Sequence, residues 1–302
     1  MQCYLELHQS QQHALKREQP TSDASSVAPA ATVGLVPTMG ALHLGHLSLI
    51  QQARQANALV IVSIFVNPLQ FGPTEDFQKY PRTLEADRHL CEQAGVDVIF
   101  APTAEELYGS AYRHQPELLT QVVPPQSMTA NLCGRSRLGH FQGVATVVTK
   151  LLQLVQPDRA YFGQKDAQQL AIIRQLVRDL NIPVEIVGCP TVREASGLAL
   201  SSRNQYLSAE EREQAAVIYR SLQRAKQQFQ AGAKDTNALI DAVKVELATV
   251  PTLKPEYIEL VHPMTMAPID KVDEAGLLAI AARLGSTRLI DNVVLQDRQP
   301  IV

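Results

Sequence analysis

Two histidines separated by two residues, His43 and His46, are the side chains of this sequence best suited to chemistry on a phosphate group. They lie between an apolar run that predicts a buried strand, residues 33–37, and a stretch that predicts a helix, residues 47–54. The free N–H groups and positive dipole end of a helix start favour a bound phosphate, and Gly45 lets a ligand approach the backbone closely. The same histidine spacing could bind zinc instead, although no cysteine lies nearby in the sequence. The candidate ATP-phosphate residues are Met39, Gly40, Ala41, Leu42, His43, Leu44, Gly45 and His46.

Two uncharged amide side chains, Asn67 and Gln70, follow the second predicted strand, residues 59–66. They provide hydrogen-bond donors and acceptors without charge, which suits the hydroxyl groups of a substrate. In open α/β sheets, ligands bind at the edge formed by the carboxyl ends of the strands. A capped turn containing Pro68 is the alternative interpretation. We take Asn67 and Gln70 as candidate substrate-binding residues.

A predicted helix at residues 84–94 carries the acidic residues Glu85 and Asp87 near its start. A carboxylate beside a triphosphate could hold Mg²⁺, often through a water molecule. Acidic residues also stabilise the N-terminus of a solvated helix without any metal. Asp87 is the candidate metal ligand of this sequence.

A second segment with phosphate-binding chemistry lies between a predicted strand and a predicted helix. This position again brings backbone N–H groups and a lysine, Lys165, to the ligand edge of the sheet. Asp166 either caps the helix or binds the ribose or a metal ion. Gln169 lies one turn further and could face the same cavity as Gln70. The candidate nucleotide-binding residues of this segment are Gly163, Gln164, Lys165 and Asp166.

A third segment, residues 200–203, offers two hydroxyl groups and one fixed positive charge, which suits a leaving pyrophosphate. A plain surface loop is the alternative interpretation. The position of this segment after the two earlier motifs favours instead the second half of an ATP-binding clamp. The basic, glycine-containing residues 135–144 are either a further phosphate site or a mobile polar loop. The candidate residues of the third segment are Leu200, Ser201, Ser202 and Arg203.

The order of the predicted strands and helices, which must position these side chains, predicts an α/β fold in two domains. Strands and helices alternate in residues 1–190, which favours a doubly wound, Rossmann-like parallel sheet. Residues 191–302 favour a smaller α+β C-terminal domain, and residues 1–31, rich in Gln, Ser and Ala, predict a loose connector. The predicted strands are residues 33–37, 59–66, 96–100, 159–162, 183–187, 257–261, 276–282 and 287–292. The predicted helices are residues 47–54, 84–94, 144–154, 166–180, 208–231 and 236–248, with a capping box at Ser208 and Glu211.

The composition excludes several classes of protein. Of 302 residues, 45% are hydrophobic and 19% charged, as in ordinary globular proteins. A formal net charge of -3 gives no long-range attraction for nucleic acid or anionic membranes. Four scattered cysteines predict a reducing compartment and no structural zinc. No run approaches the ~20 apolar residues of a membrane span, and no secretory signal is evident. We therefore predict a cytoplasmic protein that binds neither nucleic acid nor membrane.

Taken in order, these motifs resemble those of the pantoate–β-alanine ligase family, within the wider His-x-Gly-His superfamily of nucleotidylyltransferases and class I synthetases. The resemblance implies a Rossmann-like ATP-binding domain, a smaller C-terminal lid domain, a homodimer, and Val192 as a further ATP contact. The matching segments are residues 36–46, 65–71, 80–83, 139–144, 161–169, 200–204 and 285–292.

The resemblance also implies the reaction and its substrates, ATP, (R)-pantoate and β-alanine. The pantoate carboxylate would attack the α-phosphorus of ATP, and the amine of β-alanine would then attack the resulting acyl adenylate. His43 and His46 would contact the phosphates, with His46 as proton donor, and Gln70 and Gln169 would orient pantoate. The residues that would hold the β- and γ-phosphates, together with Mg²⁺, are Lys165, Ser201, Ser202 and Arg203.

Some features depart from the family pattern or leave other functions open. Leu44 stands where many members carry an acidic residue, which changes a local contact. Some members continue into a fused nucleoside-monophosphate kinase. This sequence lacks the Gly-x-x-x-x-Gly-Lys-Ser/Thr motif, so we expect no kinase within it, while its apolar end is compatible with the stub of a longer fusion. The alternatives are a plain nucleotidylyltransferase, a tRNA synthetase core and a catalytically silent nucleotide-binding module.

Overall fold

The computed structural model describes residues 32–73, 75–113 and 118–297, without the side chains of residues 111 and 113. These residues divide into two compact units. The first unit contains the described residues up to Val123, with Gly139–Gly163 and Ile173–Cys189. The second contains Pro124–Leu138, Gln164–Ile172 and the described residues from Pro190 onward, so it includes two segments that lie before the predicted domain boundary at residue 190. The predicted connector, residues 1–31, lies outside the described residues.

The secondary structure of the described residues alternates between strands and helices before it changes character near residue 190. The strands are β1 (Val33–Thr38), β2 (Leu59–Ile64), β3 (Val98–Phe100), β4 (Arg159–Gly163), β5 (Glu185–Cys189), β6 (Leu253–Val261), β7 (Ala275–Leu284) and β8 (Thr287–Gln296). The α-helices are α1 (Leu44–Ala56), α2 (Leu84–Gln93), α3 (Ala104–Tyr108), α4 (Gln126–Thr129), α5 (Leu132–Ser136), α6 (His140–Val155), α7 (Ala167–Asp179), α8 (Ala209–Ala215), α9 (Val217–Gln230) and α10 (Thr236–Leu247). Short 3-10 helices occur at Pro68–Gln70, Ser110–Arg113, Gln164–Asp166 and Ser202–Tyr206.

The first unit is built on a five-stranded parallel sheet with the order β3-β2-β1-β4-β5. This order confirms the predicted doubly wound α/β fold, because the chain runs outward from β1 in one direction and then returns to continue from β4 in the other. Such a fold binds ligands outside the carboxyl ends of the strands, at the point where the direction reverses. That point lies between β1 and β4, and β1 leads directly into the segment that carries His43 and His46.

Continuous apolar runs explain why these strands form the core. The first five residues of β2 are all buried, as expected for a parallel strand covered on both faces. The predicted strand extends to residue 66, but β2 ends at Ile64. Its partner β1 ends at Thr38, which pairs with Ile64, so the ladder stops although the apolar pattern continues.

The second unit contains a three-stranded antiparallel sheet with β7 in the centre. The predicted α+β character of this region is therefore confirmed. Nearly every residue of β7 is buried. In the hydrophobic core, Leu278 and Ile280 of β7 pack with Leu222 of α9 and with Leu239 and Val243 of α10.

The predicted helix at residues 208–231 is divided into α8 and α9 at Ala216. The predicted capping box is confirmed at its start. The Ser208 hydroxyl accepts a hydrogen bond from the Glu211 N–H at 3.1 Å, and the Glu211 carboxylate accepts one from the Ser208 N–H at 2.8 Å. Ala216, between the two helices, keeps a right-handed helical backbone conformation.

Cys91, Cys133 and Cys189 are free, buried thiols. Burial raises the pKa of the Cys91 and Cys189 thiols to about 11, so both remain protonated at neutral pH. Among the described residues, the helices are all too short or too polar to cross a bilayer.

Candidate active site

His43 and His46 form the start of helix α1. His43 is the N-cap residue, and its Nδ1 accepts a hydrogen bond from the Gly45 N–H at 3.1 Å. His46 is the third helical residue, and its Nδ1 accepts a hydrogen bond from the His43 N–H at 3.3 Å. The His43 side chain also accepts from the backbone of His46, which makes a reciprocal capping box, and the ring centroids lie 4.1 Å apart. The predicted position of both histidines, between a strand and a helix, is confirmed.

This capping arrangement fixes the tautomer of both rings. A backbone N–H can only donate, so each Nδ1 must present its lone pair. The proton of each neutral imidazole therefore lies on Nε2. Both histidines consequently present an Nε2–H donor at a helix N-terminus, where a phosphate oxygen is favoured as the acceptor. His43 and His46 also cap the helix. Their spacing, from the N-cap to the third helical residue, is that of a capping box, and this sequence signal could have revealed the capping role.

Asp87 holds the loop that precedes His43. Its Oδ2 accepts a hydrogen bond from the Ala41 N–H at 2.9 Å, and its Oδ1 accepts one from the Leu42 N–H at 2.8 Å. The Thr83 hydroxyl donates to the same Oδ1 at 3.2 Å. The loop needs this support because Gly40 and Ala41 both have positive φ angles, 78° and 51°. A non-glycine residue in the left-handed region is strained, and the surrounding structure must compensate for the strain.

These contacts give Asp87 a structural role beside the metal-ligand role that we predicted. The side chain is buried, and both of its carboxylate oxygens accept hydrogen bonds from the protein itself. Within residues 32–73, 75–113 and 118–297, no three His, Cys, Asp or Glu side chains gather where they could hold a metal ion. Mg²⁺ is commonly bound by one or two carboxylates together with substrate phosphates rather than by such a group, so the assignment of Asp87 as a metal ligand stays a prediction.

The substitution Asp87→Asn is expected to destabilise the protein by about 1–3 kcal/mol, the typical cost of leaving one buried hydrogen-bonding group without a partner. The amide keeps the size of the carboxylate but replaces one acceptor oxygen with a donor NH₂ that faces a backbone N–H. Urea unfolding followed by circular dichroism measures the change. Glu85→Gln, on the exposed side of the same helix, is the matched control and should stay within ~0.5 kcal/mol of the parent. Equal stability of the two variants would contradict this role for Asp87.

A chain of hydrogen bonds orients the amide of Gln70. The buried Tyr108 hydroxyl donates to the Asn67 Oδ1 at 2.7 Å, and the Asn67 Nδ2 donates to the Gln70 Oε1 at 3.0 Å. The Gln70 Nε2 then lies 3.2 Å from the Met39 sulfur. Burial raises the pKa of Tyr108 well above its usual value, so its hydroxyl stays protonated and keeps donating. Asn67, Gln70 and Met39, predicted separately, are thus directly connected.

The first turn of α6 supports the same amides. The Asn67 Nδ2 also donates to the Gly143 carbonyl at 3.1 Å, and the His140 Nδ1 lies 2.8 Å from the Gln70 carbonyl oxygen. A Cβ atom at residue 143 would lie 2.3 Å from the Leu69 carbonyl oxygen, so only glycine fits there. These residues come from the stretch 135–144, interpreted above as a phosphate site or a mobile loop. The structure instead places His140 and Gly143 in a buried helix start that packs on the Gln70 turn.

The second unit carries the remaining predicted residues. Lys165 lies in the short 3-10 helix Gln164–Asp166, where its Nζ is 3.8 Å from the Asp166 carboxylate. Gln169 lies in α7 and is partly buried. The adjacent Gln168 is buried and donates from its Nε2 to the carbonyls of Met128 and Asn131, so it has a structural role.

A hairpin leads into the third predicted segment. The Leu200 N–H donates to the Val192 carbonyl at 3.0 Å, which brings these two predicted residues together. Ser201 is the N-cap of the 3-10 helix Ser202–Tyr206, and its hydroxyl accepts a hydrogen bond from the Arg203 N–H at 3.3 Å. Ser201, Ser202 and Arg203 therefore lie at the start of a short helix. Lys165 likewise lies in a short 3-10 helix.

Comparisons with known proteins find relatives that are described as ligases. The family model described as Pantoate-beta-alanine ligase matches residues 9–294. A bifunctional pantoate ligase/cytidylate kinase from Trichormus variabilis is 62% identical over the whole of this chain. A protein of the same description from Thermosynechococcus vestitus is 60% identical over 91% of this chain. The chain spans only 57% and 53% of the lengths of these two relatives.

Solved structures of similar proteins agree with these descriptions. Pantothenate synthetase from Thermus thermophilus is 49% identical, with a TM-score of 0.83, and the match covers 88% of this chain and 94% of that protein. Pantoate-beta-alanine ligase from Francisella tularensis is 36% identical, with a TM-score of 0.72 and 97% of each chain covered. That structure is a complex with beta-gamma ATP and beta-alanine.

Proposed function

Because this chain belongs to the pantoate-beta-alanine ligase family, we propose that it joins (R)-pantoate to β-alanine with ATP, giving pantothenate, AMP and pyrophosphate. The observation that carries the proposal is the pair of Nε2–H donors that His43 and His46 present at the start of α1. The nucleotide and β-alanine in the Francisella tularensis complex support these two substrates for the present chain.

The first step forms an acyl adenylate. A carboxylate oxygen of pantoate attacks the α-phosphorus of ATP, the bond from that phosphorus to the bridging oxygen breaks, and pyrophosphate leaves. The pantoate carboxylate is already ionised at neutral pH, so this step needs alignment and charge stabilisation rather than a general base. His46 donates its Nε2–H toward the charge that develops on the α-phosphate and the bridging oxygen, and His43 binds an adjacent phosphate oxygen.

Other predicted residues bind the nucleotide in this proposal. Lys165 and Arg203 neutralise the β- and γ-phosphates, and the hydroxyls of Ser201 and Ser202 donate hydrogen bonds to them. Asp87 would be the protein ligand of a Mg²⁺ ion bound together with ATP, and the ion would neutralise negative charge on the phosphates. The further nucleotide contacts are Met39, Gly40, Ala41, Leu42, Leu44, Gly45, Gly163, Gln164, Asp166, Val192 and Leu200.

Pantoate is bound by amides rather than by charges. Gln70 and Gln169 hydrogen-bond its hydroxyl and carboxylate groups, and Asn67 holds Gln70 in place. In the second step, the neutral amine of β-alanine attacks the acyl carbonyl, the C–O bond to the phosphate breaks, and AMP leaves as the amine loses a proton. Exclusion of water protects the adenylate from hydrolysis during this step. We further propose a homodimer in the cytoplasm.

The release of AMP tests this function directly. The protein is supplied with MgATP and with (R)-pantoate and β-alanine, singly and together. We expect AMP only when both acids are present, and exchange of labelled pyrophosphate into ATP with pantoate alone. No turnover in any combination would contradict the ligase and would favour a nucleotidylyltransferase acting on a phosphate ester.

The substitution Tyr108→Phe is expected to raise the KM for pantoate roughly 3- to 10-fold, the size of one lost hydrogen bond, while the KM for ATP stays constant. The phenol holds Asn67, which in turn holds Gln70, so its loss frees the amide that we assign to pantoate. Initial rates measured against each substrate separate the two effects. Tyr112→Phe, which removes the hydroxyl of the neighbouring ring 5.6 Å away, is the matched control. Equal changes in both KM values would contradict the specific role of this chain of hydrogen bonds.

A further inference from the structure

Strand β8 carries a polar pair, Asp291 and Asn292, from the C-terminal segment 285–292 that the proposed reaction leaves unused. The Asn292 Nδ2 donates to the carbonyl of Gln164 at 3.0 Å and to the carbonyl of Lys165 at 2.9 Å. Both acceptors are carbonyl oxygens, so only the NH₂ end of the amide can make these contacts. Asn292, in β8, therefore holds the main chain at Lys165, from which it is separated by 127 residues in the sequence.

The neighbouring Asp291 acts on the second basic segment of the same unit. Its buried carboxylate accepts two hydrogen bonds from the Arg193 guanidinium, at 2.6 and 2.9 Å. Arg193 also donates to the Gly197 carbonyl at 3.1 Å and stacks over the ring of Tyr219 at 4.2 Å. These contacts fix the hairpin that leads into Ser201, Ser202 and Arg203.

We propose that Asp291 and Asn292 are positioning residues for ATP, which together hold the two basic segments on one rigid strand. The proposal rests on the nucleotide-binding role assigned above to Lys165 and Arg203. Neither Asp291 nor Asn292 touches the substrate in this scheme. Asn292 acts through the main chain at Lys165, and Asp291 acts through the Arg193 side chain, which holds the hairpin that leads to Arg203.

Physical considerations explain why Lys165 needs this support. A 3-10 helix of three residues has few internal hydrogen bonds and does not hold its own conformation. The lysine side chain is long and flexible, so the position of its main chain decides where the ammonium group can reach. Strand β8 pairs with the buried strand β7 along its whole length, which makes it a more precise support than a loop. The Asn292 amide transfers the rigidity of β8 to Lys165 through two hydrogen bonds.

Substitutions at Asn292 test the donor role. Asn292→Asp keeps the size of the side chain but removes both donors and sets a negative charge against two carbonyl oxygens. Asn292→Ala only removes the donors, and Asn292→Ser keeps one hydroxyl donor. We expect the KM for ATP to rise about tenfold in Asn292→Ala, more in Asn292→Asp and less in Asn292→Ser, with the KM for pantoate changed less than ~2-fold. Val294→Ala, on the same face of β8 and exposed, is the control and should leave both values unchanged.

A double-mutant cycle with Lys165→Ala separates positioning from general support of the fold. If Asn292 acts through Lys165, Asn292→Ala has no further effect on the KM for ATP once Lys165 is alanine.

The same cycle of Asp291→Asn with Arg203→Ala tests the other segment, and thermal unfolding of each variant confirms that it is folded. Additive effects in folded variants would overturn the positioning role and leave the proposed function intact. A Lys165→Ala variant with unchanged ATP kinetics would instead overturn the nucleotide-binding assignment itself.

Discussion

Replacing His46 with alanine is expected to slow formation of the acyl adenylate by at least ~10²-fold, the usual loss when a key acid–base or electrostatic group is removed. The variant lacks the Nε2–H that we assign to the charge developing at the α-phosphorus. Pyrophosphate exchange with pantoate alone measures the adenylate step without interference from the amine. The KM for pantoate should change little, because Gln70 is held by a separate set of contacts.

The alanine variant also loses one half of the capping box, so a second substitution must separate chemistry from helix stability. His46→Gln keeps an acceptor at the third helical position, where glutamine is a favoured capping residue. We expect this variant to recover most of the lost stability, since a lost helix cap costs roughly 0.5–2 kcal/mol. Its exchange rate should remain as low as that of His46→Ala. Recovery of the rate together with stability would show that His46 serves only as a cap.

The substitution Lys165→Ala is expected to lower kcat/KM for ATP by at least ~10²-fold. It removes the positive charge that we place beside the β- and γ-phosphates, and this charge stabilises the pyrophosphate as it leaves. Lys165→Arg keeps the charge but replaces a compact ammonium group with a planar fork. We expect it to recover only part of the activity. Rates of pyrophosphate release over a range of ATP concentrations measure both variants, and activity of Lys165→Ala within about 3-fold of the parent would exclude the assigned role.

Features that depend on neighbouring residues in the sequence could be predicted. The continuous Val and Ile run of β2 predicts a buried parallel strand, and the alternation of such runs with helical stretches predicts the doubly wound sheet. The junction at His43 and His46 follows from the same local pattern. Strand ends were less predictable, because β2 stops where its partner β1 stops rather than where its own apolar residues end.

Contacts between distant residues could not be predicted, and they include the partners that hold the candidate site. Asp87 binds a loop 46 residues earlier, and Tyr108 binds Asn67 across 41 residues. Each contact depends on how the folded elements pack, which no local pattern encodes. Asp87 illustrates the difficulty: a carboxylate near a phosphate motif suits a metal ion, but no local pattern predicts that two backbone N–H groups also donate to it.

The close approach of α6 to the Pro68–Gln70 turn also determines how far this site can vary. At residue 143, an added Cβ would lie within 2.3 Å of the Leu69 carbonyl oxygen and 2.6 Å of the Gln70 N–H nitrogen. Both obstacles belong to the main chain, so no change of rotamer nearby creates space for even a methyl group. Position 143 thus admits a single amino acid for a reason unrelated to catalysis. The distance between the backbone of α6 and that of the Pro68–Gln70 turn therefore limits which substitutions are tolerated beside Asn67 and Gln70, whatever the chemistry of the site.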